Sequence, residues 1–126
     1  MTQGSDGLTD LLREVFGYEA FRGLQGDIVS HVCAGGSALV LMPPGGGKSL
    51  CYQLPALVLG GTTIVVSPLI ALMRDQVDAL ERRGIAATFL ASTLESDELF
   101  RRLDALERGQ FQLLYVAPER LVFPRF

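Results

Sequence analysis

The segment that most constrains this chain is Gly45-Gly46-Gly47-Lys48-Ser49, set between two apolar stretches. Successive glycines let a backbone turn tightly and aim several N–H groups at one centre, a geometry suited to an anion. Upstream, Ala38-Leu39-Val40-Leu41-Met42 is a continuous apolar run bounded by Gly36 and Pro43. Its length and continuity predict a strand buried on both faces, as in a parallel sheet. Downstream, a helix starting near Lys48 would add its positive N-terminal end. Strand, glycine loop and helix together make a phosphate site in which Lys48 would reach the terminal phosphates of a nucleotide. The Ser49 hydroxyl would ligate Mg²⁺. The full pattern asks for Gly at position 42, where this chain has Met42, so the flanking elements carry the remainder of the argument. The competing reading is a glycine-rich structural turn followed by a surface lysine. Pro55 falls inside the following helix and is expected to kink or break it.

The rest of the chain repeats one alternation. Residues 1–7 are rich in Gly, Ser and Asp and are expected to be a flexible, frayed N-terminus. Thr9 or Asp10 would cap a short helix through Leu11, Leu12 and Val15 that stops at Gly17. A second helix is predicted from about Leu24, with Ile28, Val29 and Val32 apolar, to Gly35-Gly36. Thr62–Val66 reads as a β-branched strand. Leu69, Met73, Val77 and Leu80 then fall at helical spacing up to Gly84. Ala86–Leu90 reads as a weaker strand. Leu99, Leu103 and Leu106 line a further helix, and Phe111–Val116 is a strong apolar strand. This order predicts an α/β fold, a parallel sheet with flanking helices and right-handed crossovers.

Composition narrows the class further. The chain has 126 residues, 48% of them apolar, with 11 Lys+Arg against 14 Asp+Glu. That balance argues against a free-standing basic nucleic-acid module, though not against a local basic groove. Two cysteines, Cys33 and Cys51, make no disulfide framework and no metal spacing, and they read as small buried fillers. His31 has no second His nearby in sequence and reads as structural or exposed. The pairs Arg82-Arg83 and Arg101-Arg102 are interleaved with acids and read as solvated helix faces. No run reaches membrane-spanning length and the N-terminus has no secretory pattern, so a cytoplasmic setting is expected.

The wording around the loop is specific. Met42-Pro43-Pro44-Gly45-Gly46-Gly47-Lys48-Ser49-Leu50-Cys51-Tyr52-Gln53-Leu54-Pro55-Ala56 resembles motif I of RecQ-type DNA helicases of superfamily 2. Phe16-Gly17-Tyr18, with Phe21-Arg22 and Gln25, is similar to that family's motif 0. Ser67-Pro68-Leu69-Ile70-Ala71-Leu72-Met73 with Asp75-Gln76-Val77 is similar to motif Ia, and Leu114–Leu121 to motif Ib. The four motifs stand in order, and the resemblance spans about residues 8 to 123.

The resemblance implies that residues 8–126 are the N-terminal portion of a first RecA-like ATP-binding domain, incomplete on its C-terminal side. It implies ATP and Mg²⁺ as cofactors, and single-stranded and duplex DNA as partners. It also implies 3′–5′ translocation with unwinding, in repair and recombination. Tyr18, Arg22 and Gln25 would hold the adenine. The chemistry is sound by itself, because a Gln amide can pair with N6 and N7 together and Tyr or Arg can stack on the ring. Gly45, Gly46, Gly47, Lys48 and Ser49 would hold the phosphates. Pro44 stands where the family usually has Thr, so a hydroxyl and an N–H are lost there; this either weakens binding or stiffens the loop. Ser67, Gln76, Ser92, Thr93 and Arg120 would touch the DNA backbone. Each has a structural alternative; Ser67 before Pro68, for example, is placed to cap the next helix. The family's Asp-Glu-Ala-His box is not among these 126 residues. The isolated chain is therefore expected not to turn over ATP. Two other readings stay open: a non-catalytic nucleotide- or partner-binding remnant, and a small-molecule kinase.

Overall fold

The computed structural model describes the backbone of residues 3–42, 47–91 and 94–122. The chain divides into two compact units, Met1–Gly60 and Gly61–Phe126.

The first unit is helical. Helix α1 spans Gln3–Leu11 and runs into a π-helical turn, Leu12–Phe16. Helix α2 spans Gln25–Cys33 and α3 Leu50–Leu59. Leu8 and Leu12, four residues apart, are both buried, with Phe16 one further turn on. Docking of that stripe explains why α1 begins six residues before Thr9, with residues 3–7 helical rather than frayed. Once a helix is nucleated by packing, each added turn costs little. Gly17, in the left-handed region at φ 78°, ends the turn as predicted, its N–H donating to the Leu12 carbonyl. Pro55 does not break α3, which is continuous through it. Leu54, Pro55 and Ala56 are all buried. Burial of large apolar side chains at roughly 1.5–3 kcal/mol each offsets the backbone bond that proline cannot make.

One expected element is not formed. Residues Ala38–Met42 make no ladder; Leu39 is 90% and Leu41 86% exposed. A strand buried on both faces needs hydrogen-bonding neighbours, and the described regular elements of its own unit are all helical. The apolar run therefore finds no sheet edge there.

The second unit is α/β. Strands β1 (Thr63–Val66), β2 (Ala87–Leu90) and β3 (Leu113–Val116) form a parallel sheet in the order β1-β3-β2. Thr63 and Ala87 both stand opposite Leu113, and Val66 and Leu90 opposite Val116. The last strand in sequence is thus the central one of the sheet. Helix α4 (Ile70–Arg82) links β1 to β2, and α5 (Ser96–Glu107) links β2 to β3. A short 3₁₀ turn, Pro118–Val122, follows. Right-handed crossovers running outward and then back put the two helices on opposite faces of the sheet. On the α5 face, Leu90, Leu103, Leu114 and Val116 form one buried cluster, with Leu94, Leu99 and Leu106 packed around it. Met73, Val77 and Leu80 are the buried stripe of α4, as the spacing predicted. The sheet's two outer strands differ. Arg102 Nη1 donates to the Phe89 carbonyl at 2.7 Å, so a side chain takes an acceptor that a further strand beside β2 would use. On β1, Ile64 and Val66 each remain 50% exposed. Among the described residues no helix is long and apolar enough to cross a membrane.

Candidate nucleotide site and its relatives

The first unit brings together residues that lie far apart in sequence. Gln25 opens α2 and is only 3% exposed. Its Oε1 accepts from the Arg22 N–H at 2.8 Å, while the Gln25 N–H donates to the Arg22 carbonyl at 3.0 Å. The other end of the same amide crosses to the glycine loop, where Nε2 donates to the Gly47 carbonyl at 3.2 Å. Gly47 sits in the left-handed region, and a side chain there would run into Gln25 Nε2 and crowd the Arg22 guanidinium. Only glycine satisfies both conditions. Arg22, Gln25 and Gly47 are therefore one cluster, which joins the segment around Arg22 to the glycine loop.

The remaining expected residues are placed less tightly. Tyr18 follows the π-helical turn and is 54% exposed, its N–H donating to the Leu12 carbonyl at 3.2 Å. Lys48 is exposed and Ser49 half-buried, in the turn that starts α3. The first intrahelical bonds there come from Cys51 to Lys48 at 3.0 Å and from Gln53 to Ser49 at 2.9 Å. The N–H groups of Lys48, Ser49 and Leu50 precede them, at the end of the helix that favours anions. Gly45 and Gly46, together with Pro44, lie outside the described residues. A glycine whose conformation and crowding forbid a side chain, followed by Lys-Ser at a helix start, fits a phosphate chain. Among the described residues no three of His, Cys, Asp and Glu gather as a metal cluster.

The expected DNA contacts all belong to the second unit. Ser67 continues the sheet by one bond to the Val116 carbonyl (2.9 Å), and its Oγ accepts from the Leu69 N–H at 3.2 Å. That bond closes a short turn ahead of α4; the helix starts from Leu69 with no side-chain cap, so the capping role weighed from sequence is not filled. Gln76 is half-buried on α4, and Arg120 is a buried residue of the 3₁₀ turn, at 9% exposure. Ser92 and Thr93 lie outside the described residues. What the sequence did not disclose is the tie between Gln25 and Gly47, 22 positions apart with no shared periodicity. The polar links at the β2 edge were equally hidden.

Residues 22–123 match the DEAD/DEAH box helicase family. The chain belongs to that family. Within it the likeness is to RecQ-type helicases. The chain is 50% identical over 117 residues to the ATP-dependent DNA helicase RecQ of Bacillus subtilis, covering 92% of this chain and 20% of that protein. It is 47% identical over 116 residues to the Haemophilus influenzae protein of the same name, covering 92% and 19%. The ATP-dependent DNA helicase Q-like 2 of Arabidopsis thaliana is 46% identical over 114 residues, covering 89% and 16%. The chain spans about a fifth of the length of these relatives. The similarity expected from the four motifs is found, and the parallel sheet with flanking helices agrees with part of a RecA-like domain.

Proposed function

We propose that residues 8–126 are the N-terminal portion of the ATP-binding domain of a RecQ-like DNA helicase. The whole protein would couple ATP hydrolysis to 3′–5′ movement on single-stranded DNA and to duplex unwinding in repair and recombination. The observation that carries this is the Arg22–Gln25–Gly47 cluster, which supports base recognition and phosphate binding within one site. Arg22 and Tyr18 would stack on adenine. Gln25 would offer its amide to N6 and N7, exchanging its present partners for the base. Gly45, Gly46 and Gly47 would surround the phosphates and Lys48 would offset their charge. Ser49 would give its hydroxyl to Mg²⁺, which when bound polarises the phosphoryl oxygens.

Hydrolysis needs an acid that orients water and holds the metal. Glu119 is the acid after a strong strand, but Ala117 and Pro118 stand where the aspartate should be. Purified 1–126 should therefore bind ATP without turning it over at a helicase rate. Equilibrium binding of labelled ATP tests the reading. Binding by the wild-type chain that Lys48→Ala reduces at least tenfold supports it; no binding, or binding indifferent to Lys48, overturns it in favour of a remnant.

A further inference from the structure

In the first unit the backbone on either side of Tyr18 is tied to the turn that precedes it. The Leu12 carbonyl, at the start of the π-helical turn, takes the N–H of Gly17 and, at 3.2 Å, the N–H of Tyr18. Leu12 is fully buried, so the core fixes this anchor. One residue beyond Tyr18, the Glu19 carbonyl accepts from Arg13 Nε at 3.2 Å. The same nitrogen lies 3.9 Å from the Glu19 carboxylate, beyond hydrogen-bond reach. That carboxylate stands in open solvent, where such a pair adds little. Arg13 belongs to the π-helical turn and follows Leu12 directly. Tyr18 thus hangs between two ties that start from neighbouring residues.

Tyr18 depends on such support. More than half of it is exposed, so packing does little to hold it. An exposed ring takes its place from the backbone that carries it, and a backbone free to swing spreads the ring over many positions. Holding the carbonyl after Tyr18 removes that freedom before a ligand arrives, so less is lost when the ring stacks. The element that supplies both ties is itself uncommon, and π-helical turns are frequent at functional sites.

We infer that Arg13 is a positioning residue for the base: through the Glu19 carbonyl it sets Tyr18 for stacking on adenine. This rests on the helicase reading, which gives Tyr18 the base and gives Arg13 no role. The acceptor is a neutral carbonyl, so position 13 needs an N–H donor at the place of Nε rather than a positive charge. Glutamine carries its amide nitrogen as many bonds from the backbone as Arg13 carries Nε. Methionine is of like length and has no donor.

Calorimetric titration of the full chain with ATP and with inorganic tripolyphosphate, which has the phosphates without the base, tests it. The ratio of the two affinities measures what the base contributes. Arg13→Met should lower that ratio roughly two- to tenfold, the worth of one hydrogen bond, and leave tripolyphosphate binding unchanged. Arg13→Gln should keep the wild-type ratio. In a Tyr18→Ala chain, where the ring is gone, Arg13→Met should change nothing further. Circular dichroism checks that every variant is folded. Equal losses in Arg13→Met and Arg13→Gln, a matching loss of tripolyphosphate binding, or an undiminished effect of Arg13→Met in the Tyr18→Ala chain would each overturn the inference. A ratio lowered by Tyr18→Ala but not by Arg13→Met overturns the inference and leaves the base reading standing. A ratio untouched by Tyr18→Ala, or no ATP binding by the wild-type chain, overturns both.

Discussion

The side-chain amide of Gln25 bridges two segments of backbone, accepting from the Arg22 N–H and donating to the Gly47 carbonyl at 3.2 Å. A buried amide with both ends engaged is costly to remove, because each former partner loses its bond without regaining water. Gln25→Ala should destabilise the chain by about 1–3 kcal/mol in urea unfolding. Gln25→Glu keeps the acceptor for Arg22 but sets a carboxylate against the Gly47 carbonyl. It should be no better than alanine. Equal stability of wild type and Gln25→Ala would show that the bridge contributes nothing.

Leu114 belongs to the central strand and is 1% exposed, at the middle of the cluster with Leu90, Leu103 and Val116. Leu114→Ala should cost about 2–5 kcal/mol, the range for truncating a fully enclosed leucine. Leu99, packed at the margin of the same cluster, can relax toward solvent, so Leu99→Ala should cost clearly less. Thermal melts of the two variants side by side give the comparison.

Glu98 has its carboxyl held below the ordinary glutamate value of 4.5, first by hydrogen bonds from Arg102 and Arg101 and then by their charge. A depressed folded-state value means that the pairing is fully present above pH 4.5 and is lost as pH falls through the lower folded value. Glu98→Gln should therefore melt below wild type at neutral pH, with the gap closing under acid. The pair is solvent-screened, so added salt should close the gap as well.

Burial raises the pKa of both thiols. Cys33 nevertheless lines a cleft of about 340 Å³ with Leu8, Leu11 and Val58, whereas Cys51 is buried in the first turn of α3. Native-state alkylation should be slow at both and faster at Cys33. Peptide mapping after a short exposure at neutral pH would show the order, and faster loss of Cys51 would contradict it.

Where the sequence spoke through local chemistry, the fold follows it. Leu69, Met73, Val77 and Leu80 foretold the buried stripe of α4, and three apolar runs became the three strands with ends trimmed by a residue or two. It misled where the outcome depends on partners. Ala38–Met42 has all the marks of a buried strand, but apolarity cannot supply the neighbouring backbone on which such a strand depends. Pro55 carries a local penalty that the burial around Leu54 and Ala56 outweighs. Order within a sheet is a matter of topology, so the last strand to be written could become the middle one. In the candidate site, the sequence singles out Lys48 and Ser49 because they follow the glycines directly in the chain, and the structure places them at the start of α3. The partnership of Gln25 with Gly47 depends on how two loops meet, which no spacing rule encodes.

The two outer strands of the sheet have unequal prospects in solution. Beside β2, Arg102 occupies the Phe89 carbonyl. No proline and no charge interrupts Thr63-Ile64-Val65-Val66 of β1, and half of the surface of Ile64 and of Val66 meets water. Four β-branched residues in a row, sticky and already extended, form a template on which further chains can add strand by strand. The material cost falls on handling: concentrated samples of the isolated chain would be expected to thicken into fibrils from this strand, and one lysine at position 64 is the economical remedy.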